Sequence, residues 1–149
     1  MNNIQTKINL VIDAITIANL AHLNQVDKIN EPYIRHPLRV GSFFLEQEDY
    51  DAAIVGYLHD VVEDTNFISL LSIEATFGQN IKDAVDAISR RKDKETYKEY
   101  VRRCCENDLA RKVKKQDVKD NMRPERMWKE APISRYVWTL DYIKENYNE

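Results

Sequence analysis

Apolar residues recur every three to four positions along most of this chain, which is the period of a helix with one buried face. The N-terminal stretch shows it first, with Ile4, Ile8, Val11, Ile12 and Ile15. Similar patterns predict further helices over residues 79 to 89, 95 to 106, 108 to 122 and 131 to 147. No segment alternates as a strand does, so we expect an all-α fold.

A second group of helices is predicted in the first half of the chain. A polar loop over residues 24 to 32 precedes a helix that begins near Tyr33. Residues 51 to 64 are strongly apolar and predict one continuous helix. Ser69 is placed to cap a short helix that ends near Gly78, where glycine suits the left-handed conformation of a helix terminus.

Ligand-type residues occur in the order His, His-Asp and Asp, as His36, His59-Asp60 and Asp117. Neutral imidazole and carboxylate together bind divalent ions, and four protein ligands leave two octahedral positions open. A lone His-Asp pair on a helix is more often a hydrogen-bonded surface pair. The apolar helix around this pair, together with His36 and Asp117, favours a metal site.

Two further carboxylates, Glu63 and Asp64, follow the His59-Asp60 pair by one helical turn. They would stand beside the metal without having to ligate it. A carboxylate in that position can accept a proton from a water that attacks phosphorus. The pattern therefore points to a metal-dependent phosphohydrolase.

Composition indicates one intracellular domain spanning residues 1–149. The chain is 43% hydrophobic and 32% charged, and its length is enough to bury a core. We see neither a signal peptide nor a long apolar run, so we expect a cytoplasmic protein with no membrane segment. Cys104 and Cys105 are adjacent, which does not suit an ordinary disulfide. We expect one buried and one exposed thiol.

Charge is unevenly distributed, since residues 90 to 130 carry fifteen Lys or Arg against nine Asp or Glu. Arg90, Arg91, Lys92 and Lys94 could form an anion-binding rim, as could Lys114 and Lys115 near Asp117; the alternative is a solvated basic loop. The net charge of −3 and the lack of interleaved aromatic residues argue against nucleic acid as a partner. The expected partner is a phosphorylated, nucleotide-like small molecule. The helix over 131 to 147 is interpreted as core or as the contact of a possible homodimer.

The chain resembles the HD-domain hydrolases of the RelA/SpoT kind, in their small stand-alone bacterial form. The resemblance covers residues 20 to 125 and is carried by Ala21-His22, Gln25, Lys28, Glu31-Pro32-Tyr33-Ile34, His36-Pro37, Leu58-His59-Asp60-Val61-Val62-Glu63-Asp64-Thr65, Phe77-Gly78, Asp117 and Asn121-Met122-Arg123. It implies a compact multi-helix bundle with a metal site in its centre. It also implies manganese as the ion and removal of the 3′-pyrophosphate of guanosine tetra- and pentaphosphate, the nucleotides of the stringent response.

The resemblance also implies roles for individual residues. The implied metal ligands are His36, His59, Asp60 and Asp117, and the implied catalytic pair is Glu63 and Asp64. The implied substrate contacts are Lys28, Asn121 and His22, to which the basic rim adds Arg90. His22 is equally compatible with a packing role.

The chain departs from the family at three places. Asp27 replaces an arginine that could stack on a base, so the base is left open and another nucleotide phosphate ester is the alternative substrate. Asn30 replaces a glycine, which is a mild change because asparagine tolerates a positive φ. Lys119 and Asp120 follow Asp117, so we expect a more solvated helix there. A nucleotide-binding sensor without catalysis is the alternative function. We expect no alarmone synthase domain, because the hydrolase-like region takes up most of the chain.

Overall fold

The computed structural model describes residues 3–149, which fold into nine α-helices and one short 3-10 helix. The α-helices are α1 (Asn3–Ala21), α2 (Arg35–Leu45), α3 (Tyr50–Leu58), α4 (Val61–Asp64), α5 (Leu70–Phe77), α6 (Gln79–Ile88), α7 (Tyr97–Cys105), α8 (Asp108–Asn121) and α9 (Ile133–Tyr147), and the 3-10 helix is Pro124–Arg126. These residues form no β-strand, only an isolated bridge between Val26 and Pro32. The all-α prediction is confirmed.

Side-chain caps begin several helices, because the first backbone N–H groups of a helix have no partner within it. Ser69 accepts a hydrogen bond from the Ser72 amide at the start of α5, as predicted. Asp49 and Asn107 do the same for α3 and α8. Gly78 ends α5 with a φ of 88°, a conformation that most other residues avoid.

Helix α3 is the centre of the molecule, since every residue from Ala52 to Leu58 is buried and α1, α2, α6 and α8 pack around it. Its crossing with α2 is very close. A Cβ on Gly56 would lie 2.8 Å from the Cα of Gly41, and a Cβ on Gly41 would lie 2.4 Å from the Tyr57 ring. Only glycines permit this approach, which brings the start of α2 towards the end of α3.

The prediction of a single helix over residues 51 to 64 is wrong. Helix α3 ends at Leu58 and α4 begins at Val61. Asp60 has φ −104° and ψ −5°, in the bridge region between helix and strand. The Gly56 carbonyl, which a continuous helix would pair with the amide of residue 60, accepts a hydrogen bond from His59 Nδ1 at 2.7 Å. The interruption therefore occurs at the His-Asp pair itself.

Several large apolar residues of α1 do not face the core. Ile4 and Ile12 are 53% and 55% exposed, whereas the buried residues of α1 are Val11, Ala14 and Ala18. Small side chains occupy the buried face because α3 packs directly against it. Within residues 3–149, no helix has the length and apolarity that a membrane crossing needs.

Two other expectations need correction. Cys104 and Cys105 are both fully buried, since α7 packs against α6, α8 and α9 on more than one side. Helix α8 is less solvated than its sequence indicates. Lys114, Asp117 and Asp120 are all buried on it, because Lys114 pairs with Asp117 on the same helix and Asp120 pairs with Arg39 of α2.

Candidate metal centre

Four ligand-type side chains converge between α2, the α3–α4 junction and α8. His36 Nε2 lies 3.1 Å from His59 Nε2 and 3.0 Å from Asp117 Oδ1, and His59 Nε2 lies 3.0 Å from Asp60 Oδ2. The ligand atoms of His36, His59 and Asp60 all lie within 4.8 Å of one another, so they could hold one ion. Asp117 Oδ1 adds an oxygen 3.6 Å from His59 Nε2.

The Nδ1 atom of each imidazole already has a hydrogen-bond partner outside the ligand set. His59 Nδ1 donates to the Gly56 carbonyl, and His36 Nδ1 lies 2.7 Å from Asp120 Oδ2. Both Nε2 atoms face the centre of the site. A mixed set of imidazole nitrogen and carboxylate oxygen fits a divalent transition metal.

Electrostatics in the site favour ionised carboxylates. Burial alone would raise the pKa of Asp60, but the neighbouring His59 lowers it below its usual range. Burial likewise opposes ionisation of Asp117, whose pKa is nevertheless held well below normal by Lys114 and by hydrogen bonds from both imidazoles. Burial lowers the pKa of His59, and the charge of Asp60 more than reverses this. A divalent ion would take the place of the imidazole protons that balance the negative charges of Asp60 and Asp117.

Tyr33 bridges the ligands and the acidic pair. Its hydroxyl donates to Asp60 Oδ2 at 2.5 Å and lies 3.5 Å from Asp64 Oδ2. Burial, and then the charge of Asp60, raises the pKa of Tyr33 well above its usual value, so it stays a donor. Sequence reasoning gave Tyr33 no role, although it lies three residues before His36 in the motif.

Glu63 and Asp64 line a cavity of about 270 Å³ together with His36, Asp60 and Asp117. Burial, and then the charge of Asp60, raises the pKa of both carboxyl groups. Raised pKa values make them better proton acceptors near neutral pH. The pair predicted to be catalytic therefore faces the same space as the ligand set.

Cations line the same cavity, namely Arg90, Lys92, Lys114 and Arg135. Lys92 Nζ lies 3.3 Å from Asp64 Oδ1 and 3.7 Å from Glu63 Oε1, so it links to both acids. The other members of the predicted rim, Arg91, Lys94 and Lys115, do not line this cavity. Arg91 pairs with Asp86, and Lys115 lines a separate groove. Arg135 was missed because nothing in the sequence shows that α9 folds back over the site.

Lys28 and Asn121 line an adjoining cavity of about 330 Å³. Asn121 also donates to Asp117 Oδ1 at 2.8 Å and, like Tyr33 and Tyr136, lines both cavities. Trp128 lies in this second cavity and was not singled out from the sequence. A nucleotide could therefore extend from one cavity into the other.

His22 is not among the residues that line either of these cavities. It lines a third one, with its ring centroid 5.0 Å from that of Tyr33. His22 Nδ1 lies 2.8 Å from Gln25 Oε1, and its buried Nε2 has no hydrogen-bond partner among the described residues. The Tyr33 ring thus contacts both His22 and the proposed ligand His36, whose ring centroid lies 6.0 Å from that of Tyr33.

The loop over residues 24 to 32, whose sequence departs from the family at Asp27 and Asn30, is stabilised by its own hydrogen bonds. Asp27 Oδ1 accepts hydrogen bonds from the amides of Ile29 and Glu31, both at 3.0 Å, so its carboxylate closes the loop. Asn30 adopts a φ of 64°, the conformation expected of a glycine replacement. The substitution at Asp27 therefore stabilises the loop that carries Lys28.

Comparison with known proteins agrees with this architecture. The family model described as HD domain matches residues 14–125. Guanosine-3′,5′-bis(diphosphate) 3′-pyrophosphohydrolase of Borreliella burgdorferi is 37% identical over 81 residues, covering 54% of this chain and 12% of that protein. The bifunctional (p)ppGpp synthase/hydrolase SpoT of Escherichia coli is 32% identical over 87 residues, covering 58% and 12%. This chain thus matches about an eighth of the length of each of these two curated relatives.

A solved structure gives the fold independently. The structure of a metazoan ortholog of SpoT, described as hydrolysing ppGpp and playing a role in starvation responses, superposes with a TM-score of 0.68. It is 21% identical, and the match covers 91% of this chain and 94% of that one. The resemblance noted in the sequence is confirmed, and with most of its length matched by the family model the chain belongs to the HD domain family.

Proposed function

We propose that residues 1–149 form one metal-dependent phosphohydrolase domain that removes the 3′-pyrophosphate of guanosine tetra- or pentaphosphate, or of a related nucleotide. One observation carries the proposal. Three of the four proposed ligands, His36, Asp60 and Asp117, line a single cavity with the Glu63-Asp64 pair, and cations line it as well. The names of the relatives support this choice of substrate.

His36, His59, Asp60 and Asp117 would hold the ion. We propose Mn²⁺, because mixed nitrogen and oxygen ligands suit it and the family resemblance implies it. When bound, the ion supplies Lewis-acid chemistry, lowering the pKa of water and neutralising charge on a phosphoryl oxygen.

Glu63 and Asp64 would orient the attacking water and accept its proton. The water oxygen forms a bond to the nearer phosphorus of the 3′-pyrophosphate, and the bond from that phosphorus to the ribose 3′ oxygen breaks. Pyrophosphate leaves, and the ribose oxygen takes up a proton. The raised pKa of each acid supports this role, because a stronger base takes a proton more readily.

The remaining residues would bind the substrate. Lys92, Arg90 and Arg135 provide positive charge for the pyrophosphate without competing for the ion. Lys28 and Asn121 would hold the nucleoside end in the adjoining cavity, with Trp128 as an aromatic surface for a base. Asp27 stands where the family has an arginine that could stack on a base, and its carboxylate is bound by amides of its own loop. The base is therefore left open, and another nucleotide phosphate ester stays the alternative substrate.

A metal analysis followed by a nucleotide panel tests the proposal. Purified protein is assayed by elemental analysis and then incubated with guanosine tetraphosphate, its pentaphosphate and other nucleotide phosphates, with Mn²⁺ or with chelator. We expect metal-dependent release of pyrophosphate from the guanosine 3′-pyrophosphates. Nucleotide binding without release of phosphate or pyrophosphate would support the sensor alternative instead.

The homodimer and the cytoplasmic location also stay predictions. A dimer contact through α9 is supported by the exposed side chains of Ile133 and Val137. Light scattering would then give twice the chain mass of 17.6 kDa. A mass equal to one chain at micromolar concentration would contradict the dimer.

A further inference from the structure

Asp120 is a buried carboxylate beside the ligand set to which the sequence assigned no function. Only 3% of it is exposed, and it lies one turn after Asp117 on α8. Asp120 Oδ2 lies 2.7 Å from His36 Nδ1 and accepts from Arg126 Nη1 at 2.9 Å and Arg39 Nη2 at 3.0 Å. Asp120 Oδ1 accepts from Arg39 Nε at 2.7 Å.

We propose that Asp120 is a positioning residue that holds His36 with its proton on Nδ1 and its Nε2 lone pair directed at the metal. The proposal rests on the proposed metal site. It concerns the geometry of a ligand, so it holds whatever nucleotide the protein hydrolyses.

The chemistry of imidazole explains the effect. A neutral imidazole carries one N–H, and the nitrogen that bears it is chosen by the stronger acceptor nearby. At His36 the Asp120 carboxylate accepts at Nδ1, so Nε2 would act as a ligand once an ion takes the place of the proton that it shares with Asp117. At His59 the acceptor for Nδ1 is the neutral carbonyl of Gly56. His36 is therefore the imidazole whose strength as a metal ligand depends on a charged side chain.

Two arginines hold the carboxylate in place. Arg39 binds both oxygens of Asp120 in the two-point geometry that fixes the plane of a carboxylate. Arg126 comes from the 3-10 helix that follows α8 and binds the oxygen nearest His36. Since Arg39 lies one turn after His36 on α2, the same helix supplies the ligand and one clamp of its positioning group.

Metal affinity of an amide variant is the first test. Asp120→Asn keeps the shape of the side chain but removes its charge, and we expect the Kd for Mn²⁺ in calorimetry to rise about 10- to 100-fold. Glu95→Gln is the matched control, because Glu95 accepts two hydrogen bonds from Arg103 but touches no proposed ligand. We expect the control to keep its Kd within about two-fold. A folded Asp120→Asn protein with unchanged affinity would overturn the proposal.

The second measurement needs no variant. The chain has three histidines, so their ring nitrogens are readily resolved by ¹⁵N NMR of the wild-type protein loaded with diamagnetic Zn²⁺. We expect His36 to carry a hydrogen-bonded proton on Nδ1 and none on Nε2. A proton on Nε2 with Nδ1 bare would contradict the positioning role even if Asp120→Asn failed to fold. A wild-type protein that binds no metal at all would instead contradict the proposed metal site.

Discussion

At the scale of single residues, Asp117 shows how a buried charge is tolerated in this site. Its Oδ2 accepts from Lys114 Nζ at 2.8 Å, and its Oδ1 accepts from Asn121 and faces both imidazoles. Lys114 is buried as well, with its ammonium 5.1 Å from the Tyr100 ring centroid. An ionised pair withdrawn from water needs such compensation from every side. The site is thus balanced by neighbours rather than by solvent.

The acidic pair gives a prediction at this scale. Glu63→Gln and Asp64→Ala should each lower kcat by about 100- to 10,000-fold, because each removes a group proposed to handle the proton of the attacking water. Metal content, measured by elemental analysis, should stay at the wild-type level, since neither residue is a proposed ligand.

Glu106→Gln is the control for these variants, since Glu106 is an exposed acid at the end of α7. It should retain wild-type turnover. If either Glu63→Gln or Asp64→Ala hydrolysed nucleotide at the wild-type rate, the roles assigned to the pair would be wrong.

At the scale of elements, the close crossing of α2 and α3 brings two ligands together. His36 lies at the start of α2, and His59 follows directly after α3. Gly41 and Gly56 meet where the helices cross. The interruption after Leu58 then turns His59 and Asp60 towards α2. The geometry of the site is therefore set by the packing of two helices and by one local break.

Gly56→Ala tests this crossing. Alanine usually stabilises a helix relative to glycine by about 1 kcal/mol. Here the added methyl meets the backbone of Gly41, which cannot rotate away, so we expect a net loss of about 1–3 kcal/mol in the free energy of unfolding. Urea denaturation measures it, and calorimetry should show weaker Mn²⁺ binding. A stabilised variant would show that the crossing is not tight.

The end of α7 gives a prediction about pH. Burial raises the pKa of the Cys105 thiol to about 11, above the ordinary value of 9.0. The unfolded chain releases this proton at lower pH than the folded protein does. The contribution of the protonated Cys105 thiol to the free energy of unfolding is therefore complete below pH 9 and is lost as the pH rises towards 11.

Urea denaturation at several pH values checks the Cys105 contribution. The free energy of unfolding should fall more steeply between pH 8 and about 10.5 in the wild-type protein than in Cys105→Ala. The variant corrects for other groups that titrate in this range. Parallel curves for the two proteins would contradict the expected shift.

At the scale of the whole molecule, the proposed ligands come from segments far apart in the chain and meet only in the folded state. The ion would bind α2, the α3–α4 junction and α8 together. An ion that binds only the folded form stabilises it, because unfolding must release it. The cation-lined cavity is built in the same way, with Arg135 arriving from α9.

Metal removal should therefore lower thermal stability. At a free Mn²⁺ concentration about 100 times the Kd, binding adds about 2.7 kcal/mol, which corresponds to a Tm increase of roughly 5–10 °C for a chain of this size. Differential scanning calorimetry with Mn²⁺ and with chelator measures it. His59→Ala, which lacks a proposed ligand, should show no such difference. An unchanged wild-type Tm at saturating Mn²⁺ would count against the ligand set.

The sequence alone determined the helical class of the protein, most helix positions, the Ser69 cap and the candidate ligands and acids. These features depend on periodicity and on short motifs, which are local properties of the chain. It also located Asn30 as a position that accepts a positive φ.

Only the tertiary structure decided where the apolar helix breaks, that both cysteines are buried, and that Asp120 lies against His36 rather than in solvent. It likewise decided which cations reach the cavity, choosing Lys92 and Arg135 over Arg91 and Lys115. These outcomes depend on contacts between residues distant in sequence. Burial and pairing are properties of the packed helices, and no single segment carries them.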